Sequence, residues 1–145
     1  MPRAYASSVI AAPAAKVWDA IRDFNGLPSW HPAIAKSVIQ DGGAAERVGC
    51  VRELTTGDGA KIVERLLGLS DFKRTCVYGI LEGPFPITAY VATLRVTPVS
   101  DGDRCFIEWW SSFDCKSEDA QSMVDLLAGA IYQGGFDALK KRFGG

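Results

Sequence analysis

Apolar residues recur along the chain with two different periods, and the changes of period divide it into a short mixed beginning, a long β middle and a helical end. Residues 4–11 carry β-branched and small side chains and predict a first strand, which stops just before Pro13 at a natural first position of a helix. Over residues 13–24, Val17, Ala20, Ile21 and Phe24 recur at three- and four-residue spacing, and Trp18 widens their stripe. This predicts an amphipathic helix, stopped at Gly26. The stretch Leu27 to Pro32 is bounded by prolines and has room for one further helical turn.

From residue 36 to 114 the period falls to two. Six runs, 36–41, 48–56, 60–70, 73–82, 87–97 and 104–114, read as strands, broken at Gly42-Gly43, Gly57-Asp58-Gly59, Ser70-Asp71, Gly83-Pro84 and Asp101-Gly102. Connections this short join antiparallel neighbours, because a parallel crossover takes a dozen or more residues. The runs therefore predict a meander.

The last segment returns to the helical period. Ser117 is the expected N-cap, Glu118 and Asp119 put negative charge on the first turn, and Lys140, Lys141 and Arg142 close the helix near residue 143. At 100° per residue, Ala120, Met123, Val124, Leu127, Ala130, Ile131, Gly134 and Ala138 form one stripe. Half of these are Ala or Gly, so the stripe is a low-relief face that either approaches a sheet closely or leaves space beneath it. Tyr132, Phe136, Leu139 and Phe143 make a second apolar face, which predicts that the C-terminal half is gripped from two sides.

Length and charge narrow the classes of function. The 145 residues predict a single domain, 1–145, able to bury a core without staples. Sixteen Lys and Arg against seventeen Asp and Glu give a net charge of −1 without like-charge runs, which argues against nucleic-acid binding. The start Met1-Pro2-Arg3 leads straight into the first strand with no long apolar stretch, so a cytoplasmic location and no stable membrane insertion are expected. Cys50, Cys76, Cys105 and Cys115 lack metal-ligand spacing and read as buried thiols, and no cofactor or metal is expected. The four tryptophans are dispersed: Trp18 and Trp109 fit core positions, Trp30 a rim and Trp110 an edge face.

The residues Val17-Trp18, Ile21 to Phe24, Gly26 to Pro32, Val51 to Leu54, Glu64-Arg65-Leu66, Gly83 to Pro86 and Trp109 to Asp114 carry a family resemblance. Together with the element order they resemble the START-like or Bet v 1-like superfamily, and within it the bacterial polyketide cyclase/dehydrase and lipid transport (SRPBCC) group. The resemblance spans the chain. It implies an α+β helix-grip fold: a seven-stranded curved antiparallel sheet wrapped around a long C-terminal helix, with two short helices after the first strand. It also implies a cavity for a small hydrophobic ligand, while ligand carriers, receptors, cyclases and co-chaperones all occur on this fold.

Strand alternation divides each run into two faces. The expected inward sets are Arg52 and Leu54; Ile62, Glu64 and Leu66; Cys76, Tyr78 and Ile80; Tyr90, Ala92 and Leu94; and Cys105, Ile107, Trp109, Ser111 and Phe113. With Trp30 and His31 at the rim, Phe85 at the mouth, and Met123, Leu127 and Ile131 from the helix, these give an apolar cavity with a few polar groups. Arg52 and Glu64 sit on strands joined by a tight turn, either as a pair inside the pocket or as an exposed cross-strand pair. His31, the only histidine, reads as a ligand or proton-transfer group or as a packed ring bonded to backbone, and the absence of neighbouring partners favours the latter. Pro84 and Pro86 stiffen a loop whose Phe85 either lids the cavity or covers the core edge.

Three functions fit this pattern. The first is binding or carriage of a polyketide-like aromatic or a lipid by a monomer or homodimer. The second is a cyclase or dehydratase, with Glu64 or His31 as acid/base and Tyr78 or Arg52 polarising a carbonyl. The third is an interaction module gated by the Phe85 loop, which an exposed apolar patch around Phe85 and Trp110 would favour.

Overall fold

In a computed structural model, which describes all residues 1–145, β1 (Arg3–Ile10) is followed by helix α1 (Ala14–Ile21) and a single 3-10 turn (Leu27–Ser29). Then come β2 (Ile34–Ile39), β3 (Val51–Thr56), β4 (Lys61–Ser70), β5 (Thr75–Glu82), β6 (Thr88–Val99) and β7 (Arg104–Asp114). All pairings are antiparallel, in the order β1-β7-β6-β5-β4-β3-β2, so the chain forms the helix-grip arrangement implied above. Register breaks in the β2–β3, β4–β5 and β6–β7 pairs supply the extra residues that bend and twist a sheet.

Element bounds differ from the sequence reading where glycine and proline are not the terminators. Residues 43–50, partly assigned to a strand from the pattern, are irregular, and β3 begins only at Val51. Helix α1 ends at Ile21 rather than Phe24, although Phe24 is still buried in the core. Each strand presents its inward set to one concave face, with direct pairs Arg52–Glu64, Leu54–Ile62, Tyr78–Ala92, Ala92–Ser111 and Leu94–Trp109.

The C-terminal helix opens with a 3-10 turn (Ser117–Asp119) and continues to Phe143. Ser117 makes no capping hydrogen bond; Lys116 is the residue before the first turn. The helix is α over Ala120–Asp125, π over Leu126–Gln133 and α again over Gly134–Phe143. The wider π turns change which side chains face the sheet. Met123 and Leu127 are buried as the 3.6-residue stripe requires, but the next buried position is Tyr132, five residues on, followed by Gly135, Phe136 and Leu139.

Ala130 is consequently exposed and Gly134 and Ala138 are only half-buried, so this half is held chiefly by its aromatic face and is not gripped equally from two sides. The exchange is favourable because Tyr132 and Phe136 remove far more apolar surface from water than Ala130, Gly134 and Ala138 would. No helix is long and apolar enough to cross a membrane.

Candidate functional site

The charged residues of the concave face come together at Arg52 and Glu64, each 5% exposed and directly opposite on β3 and β4. Arg52 donates from Nε (3.0 Å) and Nη2 (2.7 Å) to the same carboxylate oxygen, Glu64 Oε1. Its Nη1 donates to the Phe24 carbonyl at 2.6 Å, and the guanidinium lies 3.8 Å from the centre of the Phe24 ring. Backbone and aromatic face thus fix the arginine independently of the carboxylate. Glu64 Oε2 has no partner within the protein. Burial pushes the Glu64 carboxyl up from its ordinary value, and the Arg52 charge opposes that rise.

Behind the ion pair runs a chain of hydroxyls. Trp109 Nε1 donates to Tyr78 Oη at 3.0 Å, Tyr78 and Tyr90 Oη are 3.5 Å apart, Tyr90 and Tyr132 Oη are 2.5 Å apart, and Tyr132 donates to Ser111 Oγ at 2.7 Å. All five residues are buried, and Tyr132 is stacked on Trp109 with ring centres 4.7 Å apart. Burial raises the three phenols well above the ordinary tyrosine value, so they stay neutral donors and acceptors. Tyr132 escaped the sequence reading as a site residue because only the π turn brings it into phase with Leu127.

His31 follows the 3-10 turn and is 2% exposed. Its Nδ1 accepts the Ala33 N–H at 3.2 Å, which assigns the ring proton to Nε2, and Nε2 donates to the Ile131 carbonyl at 2.7 Å. Both nitrogens are engaged with backbone, and burial lowers the imidazole pKa, with the Ile131 carbonyl opposing in part. The ring is therefore a neutral tie between the turn and the π segment, and is poorly placed as a general base.

That tie has a pH signature. The native state disfavours protonation relative to an unfolded imidazole near 6.5, so the stability His31 contributes is present above pH 6.5 and is lost as pH falls through the lower native value. The thermal midpoint of the wild type should exceed that of His31→Gln at pH 8, and the gap should narrow below about pH 6.5. A gap independent of pH between 8 and 5 would contradict the tautomer.

Between these groups and the helix lies a cavity of about 30 Å³. Eleven of its 14 lining residues are hydrophobic, and His31, Arg52, Glu64, Tyr78, Tyr90, Trp109, Leu54, Phe85, Leu127 and Ile131 all contribute. Ile62 and Ile80, expected on the inward strand faces, and Leu27 and Ile34, not singled out from sequence, complete it. Trp30 instead lines a second space of about 20 Å³ on the other side of Arg52, Tyr78 and Trp109, together with Phe24 and Cys76. Met123 is buried but lines neither space.

Phe85 has a second side. With Ile80 it also lines an outer cleft of about 280 Å³ formed by residues at the β5–β6 connection, so Phe85 and Ile80 are shared by the interior space and the outer cleft. Trp110 lies on the opposite sheet face, half-buried beneath Arg95, whose guanidinium is 5.1 Å from its ring. The joint Phe85–Trp110 patch that would favour a gated interaction module does not form. No three His, Cys, Asp or Glu side chains converge in a metal-binding group; Cys50, Cys76 and Cys105 are buried free thiols and Cys115 is half-buried.

This architecture has solved relatives over its whole length. A protein from Thermobifida fusca is 33% identical, with 99% of this chain and 94% of that one covered and a TM-score of 0.91. XoxI from Bacillus cereus is also 33% identical, with 99% and 96% covered and a TM-score of 0.89. A START superfamily protein from Mycobacterium smegmatis shares the fold at 17% identity, with 99% and 97% covered and a TM-score of 0.76. Among curated proteins no relative matches the chain. The model of one family, described as polyketide cyclase/dehydrase and lipid transport, matches residues 1–144, and the chain belongs to that family.

Proposed function

We propose that the protein binds a small hydrophobic molecule in the cavity between sheet and C-terminal helix, with the polar end of the ligand near Arg52, Glu64 and Tyr78. The observation that carries this reading is the composition of the cavity wall: an apolar lining interrupted by one ion pair with an unpartnered carboxylate oxygen and by two phenols. Hydrophobic walls with a few placed polar groups are the usual make-up of a small-molecule site. Membership of a family described in part by lipid transport supports the same class of ligand.

A volume of 30 Å³ holds one or two waters, whereas a benzene-sized guest occupies a cavity of about 150 Å³. Binding therefore requires the interior to open toward the outer cleft, and Phe85 and Ile80 are the side chains the two spaces share. Native mass spectrometry of protein taken directly from several expression hosts, with extraction of any bound species, tests occupancy. Phe85→Ala should join the two spaces and strengthen binding of the fluorescent dye anilinonaphthalene sulfonate by about tenfold. Protein recovered empty from every host, with no dye binding in wild type or variant, would refute the proposal.

A second reading, acid–base turnover of the bound molecule, is favoured by Glu64 alone: its carboxyl is buried, shifted upward and open at Oε2. Conversion of any extracted ligand that persists in Glu64→Gln would refute it.

A further inference from the structure

The donors in the hydroxyl chain can be followed one proton at a time. Tyr132 donates to Ser111 Oγ, so the 2.5 Å contact between Tyr90 and Tyr132 is donated by Tyr90, which then has no proton left. The Trp109 N–H is directed at the Tyr78 oxygen. Tyr78 retains its own proton, and the only acceptor available to it in the chain is the Tyr90 oxygen at 3.5 Å, while the other three links are 2.5–3.0 Å long. This is the weak joint of the chain, at the edge of hydrogen-bonding distance.

Both phenols at that joint line the cavity. An oxygen placed about 2.8 Å from each would close the gap, since the two are only 3.5 Å apart. To satisfy both, it must accept the Tyr78 proton and donate one of its own to Tyr90. A carbonyl or ether oxygen meets the first requirement only, and a methyl group meets neither. We infer that the ligand of this cavity carries a hydroxyl group, as an alcohol or phenol, and that this hydroxyl bridges Tyr78 and Tyr90. The inference rests on the cavity-binding reading and specifies the chemistry the cavity selects.

The test compares 2-naphthol with 2-methylnaphthalene, which replaces the hydroxyl by a methyl of similar size, and takes the ratio of their Kd values in each protein so that their different solubilities in water cancel. In Tyr78→Phe and in Tyr90→Phe the preference for 2-naphthol should fall about five- to tenfold relative to wild type, through weaker 2-naphthol binding alone. Unchanged 2-methylnaphthalene affinity reports that the variants remain folded. In wild-type protein labelled at the tyrosine Cζ carbons, 2-naphthol should shift the Tyr78 and Tyr90 resonances and 2-methylnaphthalene should not. If wild type binds neither probe, the cavity reading fails and this inference with it. If both probes bind but the ratio does not move, or both shift the tyrosine carbons equally, the hydroxyl bridge alone is overturned.

Discussion

Arg52→Met should destabilise the protein by about 3–5 kcal/mol in denaturant unfolding, because it leaves a carboxylate buried without its partner. That is a large share of the roughly 5–15 kcal/mol that holds a domain of this kind together. Two observations place the change in the severe class. Glu64 is 5% exposed and receives both Arg52 bonds on one oxygen, so nothing else in the protein replaces them. Arg52 also donates to the Phe24 carbonyl and covers the Phe24 ring, and the first of these is lost with methionine. Adding Glu64→Leu should return much of the loss, since two apolar side chains can replace a buried pair at little net expense. An exposed cross-strand pair, the other arrangement open from sequence, would lose at most about 1 kcal/mol. A measured loss that small for Arg52→Met would contradict the buried geometry.

Gly135→Val should destabilise by about 3 kcal/mol, at the upper end of what overpacking a filled core produces. A Cβ at this position would stand 3.0 Å from His31 Cδ2, 3.0 Å from Trp30 Cζ3 and 3.2 Å from Trp109 Cζ3. Those rings are held by one another: Trp30 and Trp109 have centres 5.9 Å apart, and His31 meets Trp109 edge-on at 6.1 Å. Trp109 cannot withdraw without disturbing the hydroxyl chain, nor His31 without disturbing its bond to the Ile131 carbonyl. Gly135→Ala should fall well short of the valine effect, since alanine adds only the Cβ and gains up to about 1 kcal/mol of helix propensity over glycine. Thermal unfolding of the two variants beside wild type gives the comparison, and a neutral Gly135→Val would contradict the close approach of helix and rings.

The same residues show how far the sequence could be read. The period-2 runs and their glycine breaks were enough for an antiparallel meander, and alternation within each run assigned Arg52, Glu64, Tyr78, Tyr90 and Trp109 to one face. Alternation is a local rule set by the pleat, so it needs no knowledge of the rest of the fold. The bounds of β3 and α1 were less legible, because residues 43–50 and 22–24 have compositions compatible with continuing their elements.

What the sequence by itself determined is the class of fold and which side chains of each strand share a face, because both follow from which positions are apolar and at what period. What only the tertiary structure decided is the phase of the C-terminal helix and the state of each polar group. The π segment Leu126–Gln133 exchanges Ala130 and Gly134 for Tyr132, Gly135 and Phe136 on the packed face. Local spacing cannot report such an exchange, because it is driven by the apolar area the aromatic rings bury against a distant sheet. The partners that Tyr78 and His31 find in Tyr90 and Ile131 are likewise 12 and 100 residues away in the chain. The identity of a hydrogen-bonding partner is a property of the folded interior, and it is there that this cavity acquires its chemistry.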